Sequence, residues 1–338
     1  MSVTVLGIES SCDETAAAVV IDGSRVASNI IASQVNLHAR FGGVVPEVAS
    51  RRHLEGINAV IAEALEQGGV KFKDLDAVAV TMGPGLAGSL LVGLMAAKTI
   101  AMALDIPLVG VHHLEAHIYA NFIVAPDLSF PVLALVVSGG HTDLYLMERH
   151  GDFRLLGRTR DDAAGEAFDK VARVIGLGYP GGPLIEKAAR DGDPEAVPLP
   201  RAYLEENSYD FSFSGLKTAV ITYLDRARRA GGEPRPADLA AGFQAAVTDV
   251  LVDKVMAAAR AFQPARVVLA GGVAANGALR RALERRAAEA GLAVNVPPPV
   301  LCTDNAAMVA CAGYYRYLRG EFSPLTLNAT AGLPLDHA

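Results

Sequence analysis

His113 and His117 stand four residues apart in the stretch PLVGVHHLEAH at 107–117. On a helix that spacing puts both imidazoles on one face, with Cβ atoms roughly 5–6 Å apart, close enough to share one cation. A pair of hydrogen-bonded surface histidines has the same spacing, so the metal reading turns on a third ligand. Asp304, in CTDNAAM, is the candidate. Two neutral imidazoles and one carboxylate leave open positions, as a catalytic metal requires. Asp304 also stands where an N-cap would, ahead of an apolar helical run, and one carboxylate can serve both roles. Glu115 lies two residues from each histidine, about 200° round the helix, and points away from the cation. A zinc protease needs HExxH, with the glutamate next to the first histidine as base, and the order here is HxExH.

A second group of residues suits a phosphate held without a lysine-bearing loop. Ser138-Gly139-Gly140 follows a buried strand, and Gly271-Gly272 lies between another strand and a helix, with Asn276 placed for a sugar or base. Each glycine pair alone is more often a plain tight turn. Asp161 or Asp162 is placed to cap the next helix, and Asp169 and Glu186, the latter four residues past Gly182, are placed for ribose hydroxyls. Their alternative is a solvated helix carboxylate.

The elements that must position these residues occur twice. Apolar runs at 3–9, 15–21 and 25–32 read as strands. A helical stretch at 34–67, strand 75–81, helix 87–104, strand 107–111 and the His113 helix follow. Strands at 131–137, 143–148 and 153–159, helices between 164 and 262, strand 266–270, helix 274–290, a short strand near 293–296 and helix 304–319 repeat the order. The reading is a duplicated α/β fold, mixed sheets flanked by helices with a cleft between two domains, 1–127 (helical insertion 34–67) and 128–338. The duplication makes Asp304 the second domain's counterpart of His113.

Composition limits the alternatives. A chain of 338 residues with net charge −7 and a pI near 5.6 is not a protein that wraps nucleic acid by bulk charge. Arg51-Arg52, Arg226 to Arg229 and Arg280 to Arg286 are the basic clusters open to RNA, although such faces are usually just solvated. Three cysteines without CxxC spacing fit a reducing compartment. The N-terminus lacks a leader pattern, and the apolar stretch 90–104 is broken by Gly93 and Lys98 and reads as a core helix. The expectation is a soluble cytoplasmic protein with no membrane association.

The motifs VLGIESSCDETAAAVV, GGVVPEVASRRH, GPGLAGSLLVG, HHLEAH, LVVSGGHTDL, DDAAGEAFDKVARVIGLGYPGGP, FSFSGLKTAV, GGVAANGALR and CTDNAAM, in this order, closely resemble the bacterial TsaD family. These are tRNA adenosine threonylcarbamoyltransferases, formerly known as O-sialoglycoprotein endopeptidases. The resemblance runs from about Val5 to Phe322 and implies an actin-like, sugar-kinase-type fold. It implies transfer of threonylcarbamoyl from threonylcarbamoyl-AMP to N6 of the adenosine 3′ of the anticodon, in tRNAs reading codons that begin with A. It places metal ligands at His113, His117 and Asp304, the ion being iron first and zinc second. Adenylate contacts fall at Val136, Val137, Ser138, Gly139, Gly140, Asp169, Gly182, Glu186 and Asn276, and Lys217 matches the bacterial form of FSFSGLKT. Asp13 or Glu14 is then the candidate to take the amine proton. Implied partners are tRNA, a TsaB-like paralogous subunit and a TsaE-like ATPase. A sugar kinase is the competing reading, but paired histidines are poor magnesium ligands.

Overall fold

The computed structural model describes residues 2–205 and 208–335. Strands β1 (Thr4–Glu9), β2 (Glu14–Ile21) and β3 (Arg25–Ser33) are followed by α1 (Val35–His38), α2 (Pro46–Gly68), β4 (Ala77–Gly83), α3 (Ala87–Leu104), β5 (Leu108–His112) and α4 (His113–Val124). Next come β6 (Val132–Val137), β7 (Thr142–Arg149), β8 (Asp152–Arg158), α5 (Ala164–Val174), α6 (Gly181–Ala189), α7 (Ser214–Arg229) and α8 (Pro236–Phe262). The chain continues through β9 (Arg266–Ala270), α9 (Gly277–Glu289), β10 (Val294–Asn295), α10 (Pro299–Cys302) and α11 (Ala306–Leu318).

The two sheets run β3-β2-β1-β4-β5 and β8-β7-β6-β9-β10. In each, the first three strands in sequence are antiparallel neighbours and the last two add in parallel. The duplication read from element order is therefore present strand for strand.

One expectation is corrected. The chain divides into two units, Met1–Leu128 with Pro297–Ala338, and Ser129–Val296. The final helix, assigned above to the second domain, folds into the first. (Met1 and 336–338, at the outer ends of the predicted ranges, lie outside the described residues.) The reason is in its small residues. A Cβ on Gly7 of β1 would lie 2.3 Å from the Ala306 carbonyl oxygen and 2.9 Å from the Ala310 Cβ, and one on Gly313 would lie 2.3 Å from the Ala79 Cβ. Glycine at both places lets α11 lie directly on β1 and β4.

Strand alternation then assigns the faces of the first sheet. Leu6, Ile8, Val78 and Val80 join Ile57, Ile61 and Leu94 in a core under α2 and α3. Val5, Gly7, Glu9, Ala79 and Thr81 face the other way, where α11 lies. Helix α4 is buried along almost its whole length, so Leu114, Ile118 and Phe122 mark one stripe of a helix enclosed on every side. Helix α3 is less buried than its sequence predicts. It is long and apolar enough to cross a membrane by length and composition, and 39% of that window is buried. It packs on β4 and α2 but leaves Leu91, Met95 and Met102 exposed.

Candidate metal centre and nucleotide pocket

Helix α4 begins where β5 ends, and His112 makes the turn. Its Nδ1 accepts the Leu114 backbone N–H at 3.1 Å as the N-cap, and its Nε2 is 3.0 Å from the Leu333 carbonyl oxygen. That cap sets His113 as the first helical residue and His117 one turn on. The two rings stand edge to face, centroids 4.7 Å apart with planes at 79°. Asp304 Oδ1 is 3.1 Å from His117 Nε2 and 3.6 Å from His113 Nε2. All three ligands thus converge, and all belong to the first unit; Asp304 does not come from the twin half as the pseudo-symmetry implies. Capping of α11 falls to Asn305, whose Oδ1 accepts from the Met308 N–H at 3.0 Å, and not to Asp304.

The arrangement fits a cation. A metal about 2.0–2.2 Å from each donor separates neighbouring donors by roughly 2.8–3.6 Å at octahedral to tetrahedral angles. The ligand atoms of His113, His117 and Asp304 all lie within 4.8 Å of one another. His117 is fully buried, and among the described residues neither of its ring nitrogens has a hydrogen-bond partner, although Nε2 is close to the Asp304 carboxylate. A buried polar atom left unpaired costs about 1–3 kcal/mol. Coordination removes that cost at Nε2.

The surroundings are strongly charged. Burial alone would lower the pKa of His113; the Asp304 and Glu9 carboxylates outweigh it and push the metal-free ring up to about 9. Glu14, at the start of β2, is also pushed up to about 9, by burial first and then by the fields of Asp304 and Asp13, although Ser33 Oγ donates to it at 3.0 Å. Asp13 is buried beside it in the turn between β1 and β2. His53, buried in α2, holds that turn: its Nδ1 lies 2.7 Å from Thr15 Oγ1 and its Nε2 2.9 Å from the Cys12 carbonyl oxygen. Glu115 takes no part in the cluster: it is fully buried and makes a bidentate pair with Arg316 of α11, at 2.8–3.1 Å.

In the second unit a pocket of about 230 Å³ gathers Gly139, Asp169, Gly182, Glu186 and Asn276, with Gly165, Phe168 and Gly272 also in its wall. Ser138 and Gly140 flank Gly139, and the Ser138 hydroxyl accepts the His141 N–H at 3.1 Å. Val136 and Val137 do not line the pocket; they are fully buried in β6, paired with β7. The polar residues shape the wall by holding helix starts. Asp169 Oδ1 accepts the Gly181 N–H at 2.6 Å, and Glu186 Oε1 the Gly277 N–H at 3.1 Å. Asn276 caps α9 through Oδ1 and donates from Nδ2 to Gln244 at 2.9 Å. Gln244, which sequence reasoning did not single out, sits mid-helix in α8 with no motif around it.

Two further readings change. Asp161 caps α7 and not the nearer α5: it accepts from the N–H groups of Phe213 and Ser214 and from the Ser212 and Ser214 hydroxyls. Asp162 pairs with Lys170 at 2.7 Å. Among the basic clusters, Arg52 pairs with Glu55 and Arg286 with Asp253, while Arg226, Arg228 and Arg229 form the exposed last turn of α7.

Comparison with known proteins gives the family and the fold class. The family model "TsaD: tRNA N6-adenosine threonylcarbamoyltransferase" matches residues 25–311. A tRNA N6-adenosine threonylcarbamoyltransferase of Moorella thermoacetica is 62% identical over 98% of this chain and 97% of its own. One from Symbiobacterium thermophilum is 63% identical over 98% and 96%. Among solved structures, HypF from T. kodakarensis superposes with a TM-score of 0.64 at 16% identity, over 95% of this chain and 49% of that one. Component A of (R)-2-hydroxyglutaryl-CoA dehydratase from Acidaminococcus fermentans gives 0.55 at 15% identity, over 94% and 99%. These structural likenesses carry the fold alone, the actin-like, sugar-kinase-type class. The match of sequence along nearly the whole chain carries more: this chain belongs to the TsaD family of tRNA N6-adenosine threonylcarbamoyltransferases.

Proposed function

We propose that the chain carries out its family's transfer to adenosine N6 of tRNA with threonylcarbamoyl-AMP as donor, and that it does so as a metal-dependent enzyme. The acceptor in this reading is the adenosine 3′ of the anticodon in tRNAs reading codons that begin with A. The observation that carries the metal half is the convergence of His113, His117 and Asp304 around a fully buried imidazole that has no hydrogen bond among the described residues. A divalent cation there, iron first and zinc second, supplies Lewis-acid polarisation of oxygen atoms.

A mixed anhydride is already activated, so the protein has to orient and to stabilise, not to make a strong nucleophile. The amine forms the new N–C bond, the carbonyl-to-phosphate C–O bond breaks, AMP leaves, and one proton leaves the amine. The pocket of the second unit suits the adenylate: Gly139, Gly182 and Gly272 leave its backbone open to close approach, while Asp169, Glu186 and Asn276 fix the helix starts around it. The carboxylates placed to take that proton are Asp13, buried in the turn between β1 and β2, and Glu14 at the start of β2.

A TsaB-like subunit and a TsaE-like ATPase complete the reading, in the cytoplasm. In support of a protein partner, the first unit carries an open apolar groove of about 720 Å³ between α2 and α3, with Leu54, Leu91 and Met95 exposed along it. The test is reconstitution with unmodified tRNA, threonylcarbamoyl-AMP and the two partners, followed by nucleoside mass spectrometry. The wild type should form threonylcarbamoyladenosine, and His117→Ala should lose both bound metal and product. Full activity in metal-free His117→Ala would overturn the metal reading.

A further inference from the structure

We propose that Glu9 is the positioning residue of the metal centre: it takes the Nδ1–H of His113 and so holds that imidazole in the tautomer and orientation that present Nε2 to the cation. The inference rests on the metal reading above. Glu9 ends β1 in register with Val5 and Gly7, so alternation turns its side chain to the α11 face of the sheet. It is fully buried there. Its Oε2 is 3.1 Å from His113 Nδ1.

The carboxylate is held independently of the histidine. Oε1 accepts the Ser11 N–H at 2.5 Å, and Oε2 accepts the Thr81 hydroxyl at 2.6 Å. The Ser11 hydroxyl lies 3.3 Å from the same Nδ1, a longer contact beside that of Glu9. His113 is the only ionisable group paired with Glu9 among the described residues, and an unpaired buried carboxylate is costly. Charge completes the case: a divalent cation bound by Asp304 beside neutral imidazoles leaves one positive charge, which the Glu9 carboxylate offsets. A carboxylate behind a ligating imidazole raises ligand basicity and fixes the ring, and its loss typically costs 10–100-fold in metal affinity.

The test uses the full chain, stripped of metal and titrated with Co²⁺ in competition with a chelator, with the visible ligand-field spectrum as second readout. Glu9→Gln keeps the shape and an acceptor oxygen but removes the charge. It should bind Co²⁺ about 10–100-fold more weakly than wild type and with an altered spectrum, which a merely structural role would not move. Wild-type affinity and spectrum in Glu9→Gln overturn the role of Glu9 while leaving the metal centre standing. Co²⁺ binding by wild type no tighter than by His117→Ala overturns both. Should Glu9→Gln fail to fold, Thr81→Val, which removes one of the bonds orienting the carboxylate, carries the test. It should weaken Co²⁺ binding by a smaller factor, and unchanged affinity there counts against the proposal.

Discussion

Arg316→Met should unfold the first unit far more easily than its place on the last helix suggests. The Arg316 side chain is 13% exposed and Glu115 is fully buried, and three N–H···O contacts of 2.8–3.1 Å join them. Methionine fills much of the arginine stem's volume but leaves the Glu115 carboxylate buried without a cation. Breaking a buried pair from one side costs about 3–5 kcal/mol. For a unit of this size each kcal/mol lowers the melting temperature by about 2–4 °C, so a fall on the order of 6–20 °C is expected. The assay is thermal and urea denaturation of the metal-free chain. A cycle with Glu115→Met completes it: the double variant, having no orphaned charge, should recover most of the loss. An Arg316→Met protein within about 1 kcal/mol of wild type, or a double variant as unstable as the single, would refute the clamp between α4 and α11.

Three further outcomes follow from the same structure. Folding raises the His113 pKa from 6.5 to about 9 and the Glu14 pKa from 4.5 to about 9, so the native state binds more protons than the unfolded chain between those limits. Metal-free stability should therefore fall as pH rises through about 5 to 9, as denaturation at stepped pH will reveal, and added cation should reduce the slope. Gly7→Val forces side-chain atoms against the Ala306 carbonyl and Ala310; it should cost at least about 1–3 kcal/mol and loosen Co²⁺ binding, because α11 carries the segment with Asp304. Asn276→Ala removes the α9 cap and the contact to Gln244; about 1 kcal/mol of stability should go, and AMP binding measured by calorimetry should weaken.

Among the described residues, periodicity alone located the ten strands, whose apolar runs are largely buried, whereas α5, α6 and α7 were read only as a helical span and α10 was not foreseen. The cluster of His113, His117 and Asp304 was legible for a different reason: histidine spacing on one helix is a local fact, and the CTDNAAM motif supplied the carboxylate. Which half of the molecule Asp304 belongs to was not legible. The duplication pointed to the second half, whereas the packing of Gly7 against Ala306 and of Ala79 against Gly313 decides for the first, and that complementarity links residues remote in the chain. Glu9 was readable in principle, as a carboxylate in register with small residues on an otherwise apolar strand. Its significance shows only once Thr81 and His113 are beside it. The cap on α11 was misread by one residue, since Asp304 and Asn305 are both good caps and side-chain direction chooses between them.

Because the second unit is threaded between α4 and α10, the three residues of the His113, His117 and Asp304 cluster are made at different times during synthesis. A nascent chain still on the ribosome can display His113 and His117 long before Asp304 emerges. The cluster is thereby completed only when the final helix has come home, and a polypeptide cut short before that point carries the histidines without their carboxylate.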